Sequence, residues 1–556
     1  MINFFYPLFK WDSLNSFVVL AIGLFSVLTI IYSFGFMKGK QRLFQYYTYI
    51  ILTAAASVLA VLSNHLALLL LFWGFLGLTL YLLVNMGDNA SAIAKKTFII
   101  VGGSDALMLL GIGIIYYLAG SMQMDMIKIR PDSGLAISAY LCIAVACFAK
   151  AGAMPFHSWI PDTAKDAPLP VVAYLPAALD KLLGIYLLAR LSLNLFVMNN
   201  GLNIFLMVIG AFTIVAAVMM ALVQHNMKKL LGYHVVSQVG YMILGIGTGN
   251  PIGIAGGLFH MLNNAIYKSC LFFTSGNVEY RTKTSELDEL GGLARAMPLT
   301  YISALVASLS ISGIPPFNGF FSKWMIYQGI VEMFKSSNIY VFKNLLCMLC
   351  LIAAMLGSTL TLASFMKIIH AVFLGQSPNI KTFQHSNILT EVRWAMWLPC
   401  IILAGLCIIF GVFAVQLPMK YFILPVVGPV VFIGAWYAGL SMLLIVVALA
   451  IGIFIVGFGL LKTSLRQDVA FTGTESLDLE EHRVTGTEFY NTIREFGIFK
   501  ALYKKAEAGL FDIYEGLKKL VFAVSGAMQY LHNGILPTYL VWCLLGMAVL
   551  FFWFFR

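Results

Sequence analysis

Long uninterrupted apolar runs, separated by short polar joints, alternate along nearly the whole chain. A helix needs about 17–25 predominantly apolar residues to cross a hydrocarbon core roughly 30 Å thick. Runs of that kind fall near residues 16–36, 47–62, 64–85, 97–119, 136–154, 176–196, 201–223, 232–249, 253–276, 297–334, 342–373, 396–416, 437–461 and 532–553. The pattern predicts an all-α polytopic membrane protein with about 14 transmembrane helices.

One region departs from it. Residues 462–487 are polar, with Glu475, Asp478, Glu480, Glu481, His482 and Arg483, and read as a soluble loop. From Thr487 to Tyr530 apolar residues recur at helical spacing (Phe489, Ile493, Phe496, Phe499, Leu502, Leu510, Ile513, Leu517), while Lys and Glu fill the other face. A continuous helix over this stretch would be about 65 Å long at 1.5 Å per residue. It is too charged to span and is expected to lie along a surface before the terminal span. It serves either as an interfacial anchor or as a brace across neighbouring subunits.

Composition agrees with the periodicity. Of 556 residues 60% are hydrophobic and 11% charged, with a mean hydropathy of +0.89, outside the range of soluble globular chains. The first apolar run is followed by no small-residue cleavage site and reads as a retained span. Lys38, Lys40, Arg42, Lys95, Lys96, Lys228, Lys229, Arg281, Lys283 and Arg295 fall on one side under this count, which the positive-inside rule makes cytoplasmic. An even number of spans leaves both termini outside. The net charge of +11 therefore reads as topology and attraction to the lipid bilayer. No basic and aromatic surface module points to nucleic acid. Cys347 and Cys350 form a CxxC inside an apolar run with no second pair nearby, so buried thiols are expected rather than a cluster site.

Against this background the ionisable residues inside the spans stand out. Lys150 ends the run Ala136 to Ala149 and is followed by a segment carrying Pro155 and Pro161, both expected to break the helix. A charge at the bilayer centre costs roughly 2.5–3.5 kcal/mol on translocon scales, so such residues face a bundle interior or a wet cavity. Asp105, Asp180, Lys181, His234, His260, Lys268, Lys323, Lys367 and His370 share the setting. Asp105 and Lys268 also fit static buried pairs. Lys367 and His370 are expected to snorkel, and His234 to be a wetted end residue beside a basic loop. His157 suits either a cap for freed backbone groups or a proton relay.

The break itself is echoed. Gly152-Ala-Met-Pro155-Phe156-His157-Ser-Trp159 lines up with Gly313-Ile-Pro315-Pro316-Phe317-Asn318-Gly-Phe320, 161 residues later. Five spans separate the copies, and an odd offset reverses direction in the membrane. Inverted repeats with a broken helix in each half place ion sites near the midplane of transporters. There is no Walker loop, dinucleotide fingerprint, HExxH or CxxCH, and His260 with Asn264 makes a weak metal site.

At Lys150 to Asp162, Lys229 to Tyr241, His260 to Lys268 and Gly313 to Lys323 the sequence resembles the antiporter-like subunits of respiratory complex I, Mrp-type cation/proton antiporters and energy-converting membrane hydrogenases. The lateral helix and last span resemble the largest complex I subunit of this type, and Tyr174 to Tyr186 looks more like the hydrogenase branch. The resemblance implies two inverted five-helix repeats around a hydrated polar axis. The chain then divides into an N-terminal helix region (1–46), a first repeat (47–200), a second repeat (201–375), additional helices (376–461), loop and lateral helix (462–531) and a terminal span (532–556). Lys150 would be the first broken-helix lysine, Lys268 the central lysine and Lys323 the second-half terminal lysine. Asp105 and His260 match a family aspartate and one of two family histidines.

Three departures accompany it. The family glutamate that pairs with the first broken-helix lysine is replaced by Gly74 in Phe72-Trp73-Gly74, and the second histidine is Asn264. The chain also begins where the family's third helix would. Asp180 is the expected substitute acid and Asp105 the second choice; alternatively, only Lys268 and Lys323 conduct. The resemblance implies a subunit of a redox-driven complex in a prokaryotic cell (inner) membrane that moves H⁺ or Na⁺ and carries no cofactor itself. Its implied partners are sister antiporter-like and small membrane subunits and an iron–sulfur/hydrogenase or quinone/ferredoxin redox module. A secondary Na⁺/H⁺ antiporter and a non-conducting scaffold are the other readings.

Overall fold

Polar side chains set where the long helices start. Asn199, Asn226 and Asn250 each accept a backbone N–H three residues on and open three consecutive helices, and Asp12 and Ser133 do the same for two others. The computed structural model describes residues 8–335, 341–375, 390–432, 438–462 and 486–555. Among these the order is α1 (Ser13–Phe36), α2 (Leu43–Leu62), α3 (Leu66–Val84), α4 (Ser91–Ala119), α5 (Gly134–Ala151), α6 (Trp159–Asp166), α7 (Leu169–Leu195), α8 (Asn200–Leu222), α9 (Met227–Gly247) and α10 (Pro251–Thr282). Then follow α11 (Pro298–Ser312), α12 (Asn318–Lys335), α13 (Val341–Ile369), α14 (Trp394–Val412), α15 (Val415–Val427), α16 (Ala438–Lys462), α17 (Gly497–Glu507), α18 (Ile513–Leu531) and α19 (Leu536–Phe554).

Eleven helices among the described residues are long and apolar enough to cross a membrane, and three shorter apolar helices accompany them. The chain is a multi-pass membrane protein. Of the three expected spans not among the eleven, 437–461 contains one of the shorter apolar helices, Leu443–Gly452, and the other two have physical sources. The run expected as one span over 297–334 is divided into α11 and α12 by the turn at Gly313 to Phe317. In addition, α10 carries His260, Asn263, Asn264 and Lys268, which lower its hydropathy below that of a simple span. It is nonetheless deeply enclosed, buried continuously from Ile252 to Val278. A helix buried on every side sits at the centre of a bundle, and α10 packs against α7, α9, α11, α12 and α14.

Close packing of the neighbouring helices relies on small residues. A Cβ placed on Gly240 would lie 2.5 Å from the Gly210 carbonyl oxygen, and one on Gly210 would lie 2.7 Å from that of Gly240. The backbones of α8 and α9 therefore touch, the contact that small residues permit between membrane helices. At one end of the bundle Arg190 in α7 ties to α1: its Nη1 donates to Asp12 Oδ2 at 2.6 Å and its Nη2 to Asp12 Oδ1 at 3.1 Å. Burial works against the Asp12 charge, but these bonds and the guanidinium hold its carboxyl below the ordinary value of 3.8.

The two breaks are built alike. Gly152 and Gly313 end α5 and α11 with φ of +83° and +81°, a left-handed cap that glycine adopts without Cβ strain. Ala153 N–H returns to Phe148 O at 2.8 Å, and Ile314 N–H, 161 positions on, returns to Leu309 O at 3.1 Å. Pro155 and the Pro315–Pro316 pair lie in the turns, as expected. Pro161 does not break anything. It stands in the first turn of α6, where an N–H has no intrahelical acceptor and a proline is tolerated. The broken pairs α5/α6 and α11/α12 are five spans apart in chain order, with α7, α8, α9 and α10 between them.

The chain divides into two compact units, residues 1–496 and 497–556. Most of the expected soluble loop, including Glu475, Asp478, Glu480, Glu481, His482 and Arg483, lies outside the described residues. The amphipathic stretch after it is not one helix of about 65 Å. Phe496 is extended (ψ 128°), Gly509 has φ +75°, and Asp512 accepts from Tyr514 N–H to cap α18. Its longest piece is α18, with 19 residues. Within the first unit, Thr487 donates to the Asp288 carboxylate and Tyr490 OH to Ala363 O at 2.8 Å.

Candidate functional site

The α5 break leaves Lys150 in the last turn of its helix, completely buried. Its Nζ lies 3.9 Å from Asp180 Oδ1 and 5.1 Å above the Trp73 ring, and it makes no hydrogen bond. Asp180 Oδ2 also lacks one. Trp159, just past the turn, folds its indole back and donates to Ala149 O at 3.0 Å, which holds the helix end in place. Asp180 follows a π-helical segment, Leu175–Leu179, that carries Pro176 at its second position. A proline inside a helix has no N–H and crowds the preceding turn, and a local widening relieves both. Lys181 Nζ donates to Pro176 O at 2.6 Å across that widened turn.

Asp105 is the second acid near Lys150, farther from it than Asp180, which stands at ion-pair distance. Asp105 Oδ1 is buried without a partner, and Oδ2 would be 3.7 Å from a Cβ on Gly77. At Gly74 a Cβ would meet nothing within 4 Å, so no neighbouring side chain has filled this space.

Lys268 lies on α10, buried, with Nζ donating to Leu231 O at 3.2 Å and standing 5.4 Å over the Phe365 ring. Lys181 and Lys323 are the charges that act on it. His234 is not a wetted end residue. It is fully buried, its Nε2 bonds Ser364 Oγ at 2.7 Å and its ring lies 4.8 Å from Phe365. Lys367 does not snorkel either: it is buried and donates to Leu222 O at 2.9 Å and Gln224 O at 2.8 Å, closing the C-terminal end of α8. In both cases sequence distance from a polar joint misjudged depth, because packed neighbouring helices cover the ends.

The second half is held by neutral groups. His260 bonds Ser322 Oγ through Nδ1 at 2.9 Å and Gln238 Oε1 through Nε2 at 3.1 Å, with Tyr267 OH 3.3 Å from Nε2. Lys323 Nζ donates to Ile311 O at 2.8 Å, at the end of α11, and stands 4.7 Å over Tyr241. Asn263 and Asn318 exchange hydrogen bonds at 2.9 Å, pinning the second break to α10. Both amide atoms of Asn264 are buried without partners. His157, at the equivalent of Asn318, turns back to Pro155 O at 3.3 Å.

Four contributors escaped the sequence reading: Trp73, Gln238, Tyr241 and Ser322. A signal for two of them was present, since His234, Gln238 and Tyr241 recur at four- and three-residue steps on one face of α9. The others become visible only when separate helices meet. Lys96 also pairs with Asp162 at 2.7 Å, joining α4 to α6. Among the described residues no three His, Cys, Asp or Glu side chains group as a metal site. Cys347 and Cys350 are buried in an apolar cluster with Met207, Ile214 and Tyr241.

Residues 63–346 match the family model described as "NADH:quinone oxidoreductase/Mrp antiporter, TM". The chain is 32% identical over 425 residues to Na(+)/H(+) antiporter subunit A1 of Staphylococcus haemolyticus, covering 72% of this chain and 52% of the relative. It is 30% identical over 423 residues to the Staphylococcus aureus protein of the same name, with the same shares covered. It thus spans about half the length of these curated relatives. In fold it is similar to a chain of the membrane-bound sulfane sulfur reductase, an archaeal respiratory membrane complex (TM-score 0.79, 22% identity, 98% of this chain and 89% of that one). It also resembles a chain of the Mrp complex from Dietzia sp. DQ12-45-1b (TM-score 0.67, 20% identity, 75% and 84%).

Proposed function

Because the chain belongs to the NADH:quinone oxidoreductase/Mrp antiporter family, we propose that it is an antiporter-like subunit that moves H⁺ or Na⁺ across a prokaryotic cell membrane. The observation that carries this reading is the buried series Lys150, Asp180, Lys181, Lys268 and Lys323, with His234 and His260 beside it, inside one bundle. Five charged groups without lipid contact have no structural need at that depth, and buried ionisable groups in membrane bundles mark ion paths. The Lys150–Asp180 pair is the exchangeable element: the two charges attract, but no hydrogen bond locks them. Withdrawal of the carboxylate would favour release of the lysine proton, and its approach would favour uptake.

The driving reaction would sit in sister subunits of a redox complex and must supply about 2.3 kcal/mol per charge per 100 mV opposed. Similarity over 98% of the chain to a respiratory complex subunit supports that setting. A secondary Na⁺/H⁺ antiporter is the second reading, supported by the names of the relatives. Co-purification of an iron–sulfur or [NiFe] protein with the complex supports the first, and an intact active complex without one supports the second. The test of translocation itself is the triple variant Lys150→Met, Lys268→Met, Lys323→Met, assembled in its complex and reconstituted into vesicles. Loss of ion flux is expected; retained flux makes the chain a scaffold.

A further inference from the structure

We propose that a cleft at the cytoplasmic ends of α1, α2 and α14 binds the headgroup of an anionic phospholipid. The cleft has a volume of about 440 Å³ and is lined by Lys38, Arg393, Phe34, Gly35, Tyr47 and Trp394, among others. None of its lining residues is acidic. Lys38 belongs to the basic joint that marks the cytoplasmic side, so the cleft opens at headgroup level.

Among the described residues no carboxylate forms an ion pair with Lys38 or Arg393. Glu391, two residues before Arg393, turns to α11, where its Oε2 accepts from Leu299 N–H at 3.0 Å and Thr300 N–H at 3.1 Å and its Oε1 from Thr300 Oγ1 at 2.7 Å. Arg42 and Arg393 are the N-caps of α2 and α14, and neither helix has a side-chain cap. Leu43, Trp394 and Ala395, residues of those two first turns, line the same concavity. Gly35 gives the floor its shape, since any Cβ there would collide with Met396.

What favours a lipid over a soluble phosphate or an acidic peptide is the surface below. Phe34 and Trp394 are 57% and 63% exposed at the mouth, the aromatic arrangement of a membrane interface. Leu20, Val27 and Phe34 repeat every seven residues on α1, all exposed, and form an apolar track leading from the cleft. The cations would hold the phosphodiester while the acyl chains lie along that track.

The test is native mass spectrometry of the full chain released from nanodiscs containing phosphatidylglycerol and phosphatidylcholine. Retention of one phosphatidylglycerol in preference to phosphatidylcholine is expected. The double variant Lys38→Gln, Arg393→Gln should retain it about thirtyfold less, the weight of two basic residues at an anionic surface, while Lys38→Arg, Arg393→Lys should restore it. Thermal unfolding in detergent checks that each variant is folded. An equal loss in the control Lys40→Gln, Arg42→Gln would show diffuse surface charge and overturn the site. Displacement by millimolar inorganic phosphate would replace the lipid with a soluble anion, and equal retention of both lipids would remove the site altogether.

Discussion

The two halves of the bundle share a break and differ in what surrounds their lysines. Lys150 faces two carboxylates, Asp180 at 3.9 Å and Asp105 beyond it, and hydrogen-bonds to neither. Lys268 and Lys323 face backbone carbonyls and aromatic rings, and hydrogen-bond to the carbonyls. Charge that a carboxylate balances at a distance can be rebalanced by a small movement. A lysine held only by neutral dipoles has no such partner, and its charge state depends on the next charge along the series. Under the proposed function, the first half would act as a variable contact and the second as a fixed one.

The largest effect should come from Asp180→Asn. Removing one member of a buried pair leaves the other charge uncompensated, typically at about 3–5 kcal/mol. Ion flux through reconstituted complex should fall at least about a hundredfold with assembly intact; near-normal flux would erase the distinction between the halves. Next is a rescue: Gly74→Glu introduced into the Asp180→Asn chain has space to enter and returns an acid beside Trp73. Flux should recover by at least about tenfold, equivalent to some 1.4 kcal/mol, whereas no recovery would show that the acid must come from α7.

Asp105→Asn is expected to lower flux only about threefold, less than 1 kcal/mol, because Asp180 is the acid within ion-pair distance of Lys150. A loss as deep as that of Asp180→Asn would make the two acids a single unit. In the second half, Gln238→Leu removes an acceptor from His260 and should lower the unfolding midpoint in detergent by an amount equivalent to about 1–3 kcal/mol. If flux instead collapses at unchanged stability, the second half is variable too. The smallest functional effect belongs to Lys367→Met, which uncovers the Leu222 and Gln224 carbonyls. Its flux should stay within about twofold, while stability drops by about 1–3 kcal/mol.

Much of this arrangement is legible in the sequence because it is written in local chemistry. A glycine closing an apolar run and a proline three residues later (Gly152 and Pro155, Gly313 and Pro316) define each break, Lys150 precedes the first, and the 161-residue echo relates them. Asp180 could be proposed as a partner because Gly74 left Lys150 without its usual one, and the structure brings the two side chains to 3.9 Å. What the sequence hides depends on neighbours. His234 and Lys367 look like end residues until other helices cover them. Pro161 reads as a break unless its place in a first turn is known. The amphipathic stretch reads as one rod because its period continues through Phe496 and Gly509, where the backbone turns away from helical angles.

The enclosure of α10 has an electrical consequence. From Ile252 to Val278 every residue of this helix is sheathed by other parts of the protein, so the low-dielectric jacket around Lys268 is made of side chains and not of lipid. A bilayer-dissolved amine reagent has no lateral access to that nitrogen, whereas one able to thread the polar interior does. The helix resembles the core of an insulated cable: leakage to the membrane is blocked along its whole buried length, and whatever charge it carries must leave by its neighbours in the bundle.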